Sequence, residues 1–160
     1  MPSLKGGKTH MPQHEPAGPE LASGMGPLIT VSEVAALCRT PCGLEGYSPL
    51  LDHNYLLLNI AGAGNRSGDL PLQSLIDALR LLPCPVIAVG EPASPAVLKG
   101  VDVVVDSLRD AAPLIKNIDE HPLAAMTLVQ LLRHNEEVTA RQGLLAESLA
   151  YASLQGSVTK

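Results

Sequence analysis

The chain has no phenylalanine and no tryptophan, and its aromatic content is three tyrosines, Tyr47, Tyr55 and Tyr151. Large rings anchor most ligand pockets and interface hot spots, so their scarcity weighs against a site that stacks nucleobases or sugars. Only three cysteines occur, Cys38, Cys42 and Cys84. An odd number makes no disulfide framework and suits a reducing cytoplasm. No apolar run approaches the roughly 18–20 residues of a membrane span. The opening stretch, MPSLKGGKTHMPQHEP, carries basic residues without an apolar stretch after them, so it does not read as a secretory signal. Basic residues are sparse throughout: eleven Lys and Arg against sixteen Asp and Glu give a net charge of −5. They are scattered, with no stripe for nucleic acid or anionic lipid. The expectation is a cytoplasmic protein with no nucleic-acid partner and no membrane partner.

What the chain does have is aliphatic residues, and at 160 residues it is long enough to bury one core with them. Residues 1–27 are rich in Pro, Gly and His without hydrophobic period, and read as a disordered tail. The expected organisation is that tail, a single α/β domain over 28–156, and a short tail over 157–160.

Thr30-Val-Ser-Glu33 is a capping box, with Ile29 and Val34 placed as a hydrophobic staple around it. The helix it opens is short, because Arg39-Thr-Pro-Cys-Gly43 stops it. Tyr55–Ile60 is a compact apolar run ending at a glycine-rich loop, and so a buried strand. Asp69 is placed to cap the next helix, with Pro71 in its first turn. In that helix Leu72, Leu75, Ile76 and Leu79 share one face. Val86–Val89 and Val101–Val105 read as two further strands, with a brief helical piece between them before Gly100. Beyond, Leu114, Ile115 and Ile118 form an apolar stripe, and Pro122 restarts the chain as the first-turn residue of a new helix. Almost every position from Leu123 to Leu132 is apolar or small, which predicts burial on most sides of that helix. A last helix spans about Thr139 to Leu154. The pattern predicts an α/β fold with a small, mainly parallel sheet and helices, followed by a helical C-terminal part.

Four constellations could carry chemistry. Gly62-Ala-Gly64-Asn-Arg-Ser-Gly68 follows a strand, where backbone amides can approach a phosphate. Its spacing is Gly-x-Gly-x-x-x-Gly, however, and a surface turn accounts for it better. Cys38 and Cys42, with His53 nearby, could share a zinc ion, but a structural site needs four convergent ligands. Buried thiols at a helix end are the simpler reading. The acids Asp102, Asp106, Asp110 and Glu147 sit at strand boundaries and helix positions that explain them structurally. No catalytic residue, bound cofactor or metal is therefore expected. Fourth, Leu145, Leu149 and Ala152 share one face of the last helix, while Ser148, Tyr151 and Gln155 share the next. That helix is either ordinary core or a docking surface through Leu145, Leu149 and Tyr151.

The run from Val101-Asp-Val-Val-Val-Asp106 through Asn117, His121-Pro122 and Leu128-Val-Gln-Leu-Leu-Arg133 to Glu147-Ser-Leu-Ala-Tyr-Ala-Ser-Leu-Gln-Gly156 resembles the segment ahead of the catalytic core in some bacterial proteins of the crotonase (enoyl-CoA hydratase/isomerase) superfamily. The resemblance covers about Pro83 to Gly156, is looser back to Tyr55, and does not reach residues 1–50. In those proteins the glycine after the Glu-Ser-Leu-Ala-Tyr helix leads into the acyl-CoA-processing domain; here Ser157–Lys160 follow it. Family catalysis, as the resemblance implies it, polarises a thioester carbonyl with two backbone amides in a glycine-rich oxyanion hole. No Ala-Gly-Gly-Asp-like segment is present here, and no catalytic acid carries over. The resemblance thus implies a non-catalytic accessory module whose partner is a crotonase-like catalytic domain or a second copy. The alternatives are a fragment of an acyl-CoA hydratase/isomerase, or a small phosphate- or nucleotide-binding α/β protein.

Overall fold

The computed structural model describes residues 25–157 apart from 42, 64, 65, 68 and 69. In chain order they form β1 (Leu28–Thr30), α1 (Val31–Cys38), a 3-10 turn at Pro49–Leu51, β2 (Leu56–Asn59), β3 (Arg66–Ser67) and β4 (Leu70–Pro71). Then come α2 (Leu72–Arg80), β5 (Val86–Val89), a 3-10 turn at Pro95–Gly100, β6 (Val103–Val105), α3 (Leu108–Glu120), α4 (Pro122–Asn135) and α5 (Ala140–Ser157). Most of the tail expected over 1–27, the end of the chain beyond Ser157, and the Asp69 cap lie outside the described residues. Gly26, placed in that tail by composition, donates its amide to the Tyr55 hydroxyl at 2.8 Å.

The main sheet is wholly parallel, in the order β1-β2-β5-β6. Successive strand residues point to opposite faces, and each face finds a helical cover. Leu56, Leu58, Val86 and Ala88 pack with Val34 of α1 and Leu75 and Leu79 of α2. Leu57, Ile87 and Val89 pack with Ala111, Ile115 and Ile118 of α3. Burial on both faces is why β2 and β5 read as unbroken apolar runs. The strands advance in one direction across the sheet, so right-handed crossovers bring α1 and α2 to the same face. The chain then crosses the edge after β6, and α3 covers the other side.

The helix starts follow their local chemistry. The Thr30 hydroxyl accepts the Glu33 amide at 3.2 Å, and the Glu33 carboxylate accepts the Thr30 amide at 2.6 Å. Those bonds to the backbone and side chain of Thr30 hold the Glu33 carboxyl below its ordinary value. Ser107 caps α3 in the same manner, accepting the Asp110 amide. The strand β1 has no counterpart among the elements expected from the sequence. Three residues show no period, and Thr30 ends the strand while capping the helix.

The C-terminal part is helical as expected, but α4 is not buried on most sides. Only Val129 and Arg133 of α4 are buried, and Leu123, Leu128 and Leu132 are exposed. The apolar run predicted burial, but α4 lies beyond α3 at the periphery, and one flank reaches the body. Among the described residues no helix is long and apolar enough to cross a membrane.

Candidate functional site

In the glycine-rich loop Gly62 adopts φ +70°, a conformation glycine takes without strain. Its amide is already donated to the Glu91 carbonyl at 3.2 Å, and the Ala63 amide to the Ile60 carbonyl at 2.9 Å. Arg66–Ser67 of this stretch pair with Leu70–Pro71 as the antiparallel β3–β4 ladder, which ends just before α2 begins at Leu72. Gly64 and Gly68 lie outside the described residues. The described part behaves as a turn whose donors are spent on carbonyls just past the central strands β2 and β5.

Cys42 also lies outside the described residues. Cys38 lines an apolar cavity of about 670 Å³ between the ends of α1 and α2 and the Pro49–Leu51 turn. His53 instead tilts against the Tyr47 ring, centroids 5.3 Å apart, in a separate cleft of about 300 Å³. Among the described residues no group of three or more His, Cys, Asp or Glu could hold a metal ion. Burial pushes the Cys38 thiol up, and the deeper Cys84 up to about 11, so neither is poised as a nucleophile. The larger cavity is walled mainly by leucines such as Leu37, Leu44 and Leu81.

The four acids lie apart, and three of them make separate contacts. Asp110 sits in the first turn of α3 and accepts the Ser107 hydroxyl at 2.6 Å. Glu147 accepts the Asn135 side-chain amide at 3.2 Å, tying α5 to α4. Asp106 is exposed just after β6. Asp102 meets Arg133, a residue that the sequence offers only as the end of the Leu128–Arg133 run and gives no role. The guanidinium donates to both Asp102 oxygens, at 2.8 and 2.5 Å, and to the carbonyls of Arg80, Leu82 and Cys84. All five of its N–H donors are thereby satisfied. Asp102 additionally accepts the Val86 amide at 2.8 Å. This buried pair closes the end of α2, whose last carbonyls lack helical partners, and locks α4 to the starts of β5 and β6. One signal could have revealed it: Arg133 is a charge on the end of an apolar helical run.

What remains is the arm made by α4 and α5. Gly143 faces α4, where an added Cβ would come within 2.9 Å of the Asn135 side-chain oxygen. Glu147 lies one turn on, and Ala150 and Leu154 continue that stripe as half-buried positions. The substantial packing of α5 is against α4. The two adjoining stripes therefore turn outward. Leu144, Leu145, Leu149 and Tyr151 are 62–65% exposed, so these four positions are not core of this chain. On the neighbouring flank of α4, Leu128 and Leu132 wall an apolar groove of about 330 Å³ that reaches Val103 of the edge strand β6. The arrangement offers apolar contact and no convergent acid, base or nucleophile. Compared with known proteins, the chain matches no family model, no curated protein and no solved structure.

Proposed function

We propose that this chain is a non-catalytic association module, a compact α/β body that presents the α4–α5 arm to another protein. The observation that carries the reading is the outward face of α5. A solvated helix normally sets charged residues on its open side, yet from Gln142 to Ser157 the only charged residue is Glu147, which is turned toward Asn135. Contiguous exposed apolar surface of this kind marks sites where proteins meet. On the crotonase-like reading, the module contributes assembly to an acyl-CoA-processing protein, and the chemistry belongs to a catalytic domain.

The test is Leu149→Asp in the full chain, followed by thermal melting. A docking leucine exposed to water costs the isolated fold little, within about 0.5 kcal/mol, so the transition should stay in place. A leucine that supports the fold would lose about 2–5 kcal/mol, and an early melt of that size would overturn the reading. Crotonyl-CoA hydration assayed alongside should show no turnover that depends on any residue of this chain.

A further inference from the structure

We infer that the open edge of the sheet at β6, together with the groove beside it, is a docking site for an extended peptide segment of another protein. The segment adds as an antiparallel strand, with a basic residue opposite Asp106 and an aliphatic residue opposite Val103. The site is separate from the outward face of α5.

β6 ends the strand order β1-β2-β5-β6, and among the described residues no strand pairs beyond it. In a parallel ladder one member of each opposed pair turns its main-chain groups to the neighbour, and the other turns them away. The Val89 carbonyl is spent on the Ile60 amide at 3.0 Å, on the β2 side, while the Gly90 amide is donated to the Val105 carbonyl at 2.9 Å. Ala88 and Gly90 thus face β6, and Val103 and Val105 face β5. Val104, opposite Ala88 in the register, turns its N–H and C=O outward. Natural edges are commonly covered, or broken by lysine, proline or a bulge. The Val103–Val105 register is continuous and holds neither residue type, and Val103 and Val104 are 36% and 45% exposed.

In strand addition the main-chain bonds give affinity, and pockets for alternate side chains give selectivity. Val103 lines the groove together with Ile87, Leu114, Ile118, Leu128 and Leu132. It stands opposite Ile87, on the face of the sheet that α3 covers. A residue opposite Val103 on an added strand projects to that same face, beside the groove. At about 330 Å³ the groove is small, near the lower end of the roughly 300–1,000 Å³ of ligand pockets. Its walls suit an aliphatic side chain, whereas a charged one would lose its water there.

Charge decides between a second copy and a different partner. Antiparallel pairing of β6 with itself about Val104 would set Asp102 of one copy opposite Asp106 of the other, and like charges directly opposite destabilise a pair. Each chain also carries −5 overall. Asp102 is already engaged by Arg133. Asp106 is exposed and forms no ion pair among the described residues. The charged residues that follow it, Arg109 and Asp110, are both exposed, so this end of the edge holds two acids against one base. A lysine or arginine opposite Asp106 is the complement.

The probe is the peptide acetyl-Thr-Lys-Val-Thr-Leu-Thr-amide, titrated into the full chain and followed by backbone amide NMR. The expected result is a set of shift changes centred on Val103–Asp106, with a dissociation constant of about 1 mM or tighter. Methylating the amide of the threonine between valine and leucine removes the N–H that meets Val104 and should abolish those changes. Exchanging the lysine for glutamate should weaken binding about fivefold. Val104→Pro removes the outward amide where an edge strand tolerates proline, so this variant should melt like the wild type and lose the peptide. If it fails to fold, the N-methylated peptide asks the same question of the wild type. No change at β6 up to about 5 mM peptide, or equal binding of the N-methylated peptide, overturns the inference. Equal binding of the glutamate peptide overturns the choice of partner, and β6 shifts that depend on dilution of the chain alone overturn it in favour of a second copy. Leu149→Asp should bind the peptide as the wild type does, so a failure at β6 leaves the reading of α5 standing.

Discussion

Leu58 and Leu149 are the same side chain in opposite settings. Leu58, in the middle of β2, is fully buried, while Leu149, in the middle of α5, is 62% exposed. Their neighbours in sequence do not explain the difference, since both sit in stretches dominated by aliphatic and small residues. The number of layers around them does. The parallel sheet has helices on both faces, so every β2 residue finds a cover whichever way it points. The arm is less covered: α4 meets α3 and the Pro49–Leu51 turn and buries Val129 and Arg133, and α5 packs substantially on α4 alone. A helix with a single neighbour buries one stripe, and an all-round apolar sequence then leaves the other stripes open. The body has the composition of a self-sufficient core, and the arm has the composition of half of one.

The contrast can be broken most forcefully at the joint. Arg133→Met removes the guanidinium that serves Asp102 and three carbonyls, leaving a partly buried carboxylate without its partner. Removing one member of such a pair costs about 3–5 kcal/mol. Urea denaturation should show a loss of that size, and Arg133→Lys should recover little, because one ammonium cannot span the same acceptors. A loss below about 1 kcal/mol, the scale of an exposed pair, would mean that the arm is not keyed to the body through this residue.

The next test compares the two regions directly. Leu58→Ala should cost about 2–5 kcal/mol through lost burial and the cavity left behind. Leu145→Ala, in the arm, should leave the stability of the dissociated chain within about 0.5 kcal/mol. Equal effects in denaturant titrations at low protein concentration would erase the distinction between body and arm.

The smallest effect is local. Thr30→Ala removes the hydroxyl of the first helix cap and should cost about 1 kcal/mol. It should also make stability less dependent on pH in the acid range. The Glu33 carboxyl is lowered in the folded state by its bonds to Thr30. Its contribution is therefore present above its ordinary value of 4.5 and is lost as pH falls through the lower folded value. Melting curves from neutral to acid pH should show the wild type losing more than Thr30→Ala. The Thr30 amide, the larger cause of the lowering, remains in Thr30→Ala, so the deciding variant is Glu33→Gln: acid sensitivity equal to the wild type there would remove the capping box from the account.

Much of the body is legible in the sequence, and the reasons are local. The capping box needs two side chains three residues apart, and both hydrogen bonds form as the spacing requires. Val86–Val89 reads as a strand with its observed limits, because a short apolar run between Pro85 and Gly90 has few other uses. The face of α2 carried by Leu75, Ile76 and Leu79 follows from period alone. That Leu145 and Leu149 share one face of α5 and Tyr151 the next also follows from their spacing, but whether they are core or surface does not.

The sequence by itself thus determined the helices, the longer strands and which side chains share a face, since those follow from residues a few positions apart. Tertiary structure decided what each face meets. It made three residues at Leu28–Thr30 a strand by supplying β2 as a partner. It brought Asp102 and Arg133, 31 positions apart, into one buried pair, and it left α5 with a single neighbour. Burial depends on how many elements surround a side chain, and that number is set by the path of the whole chain rather than by the chemistry of any one stretch.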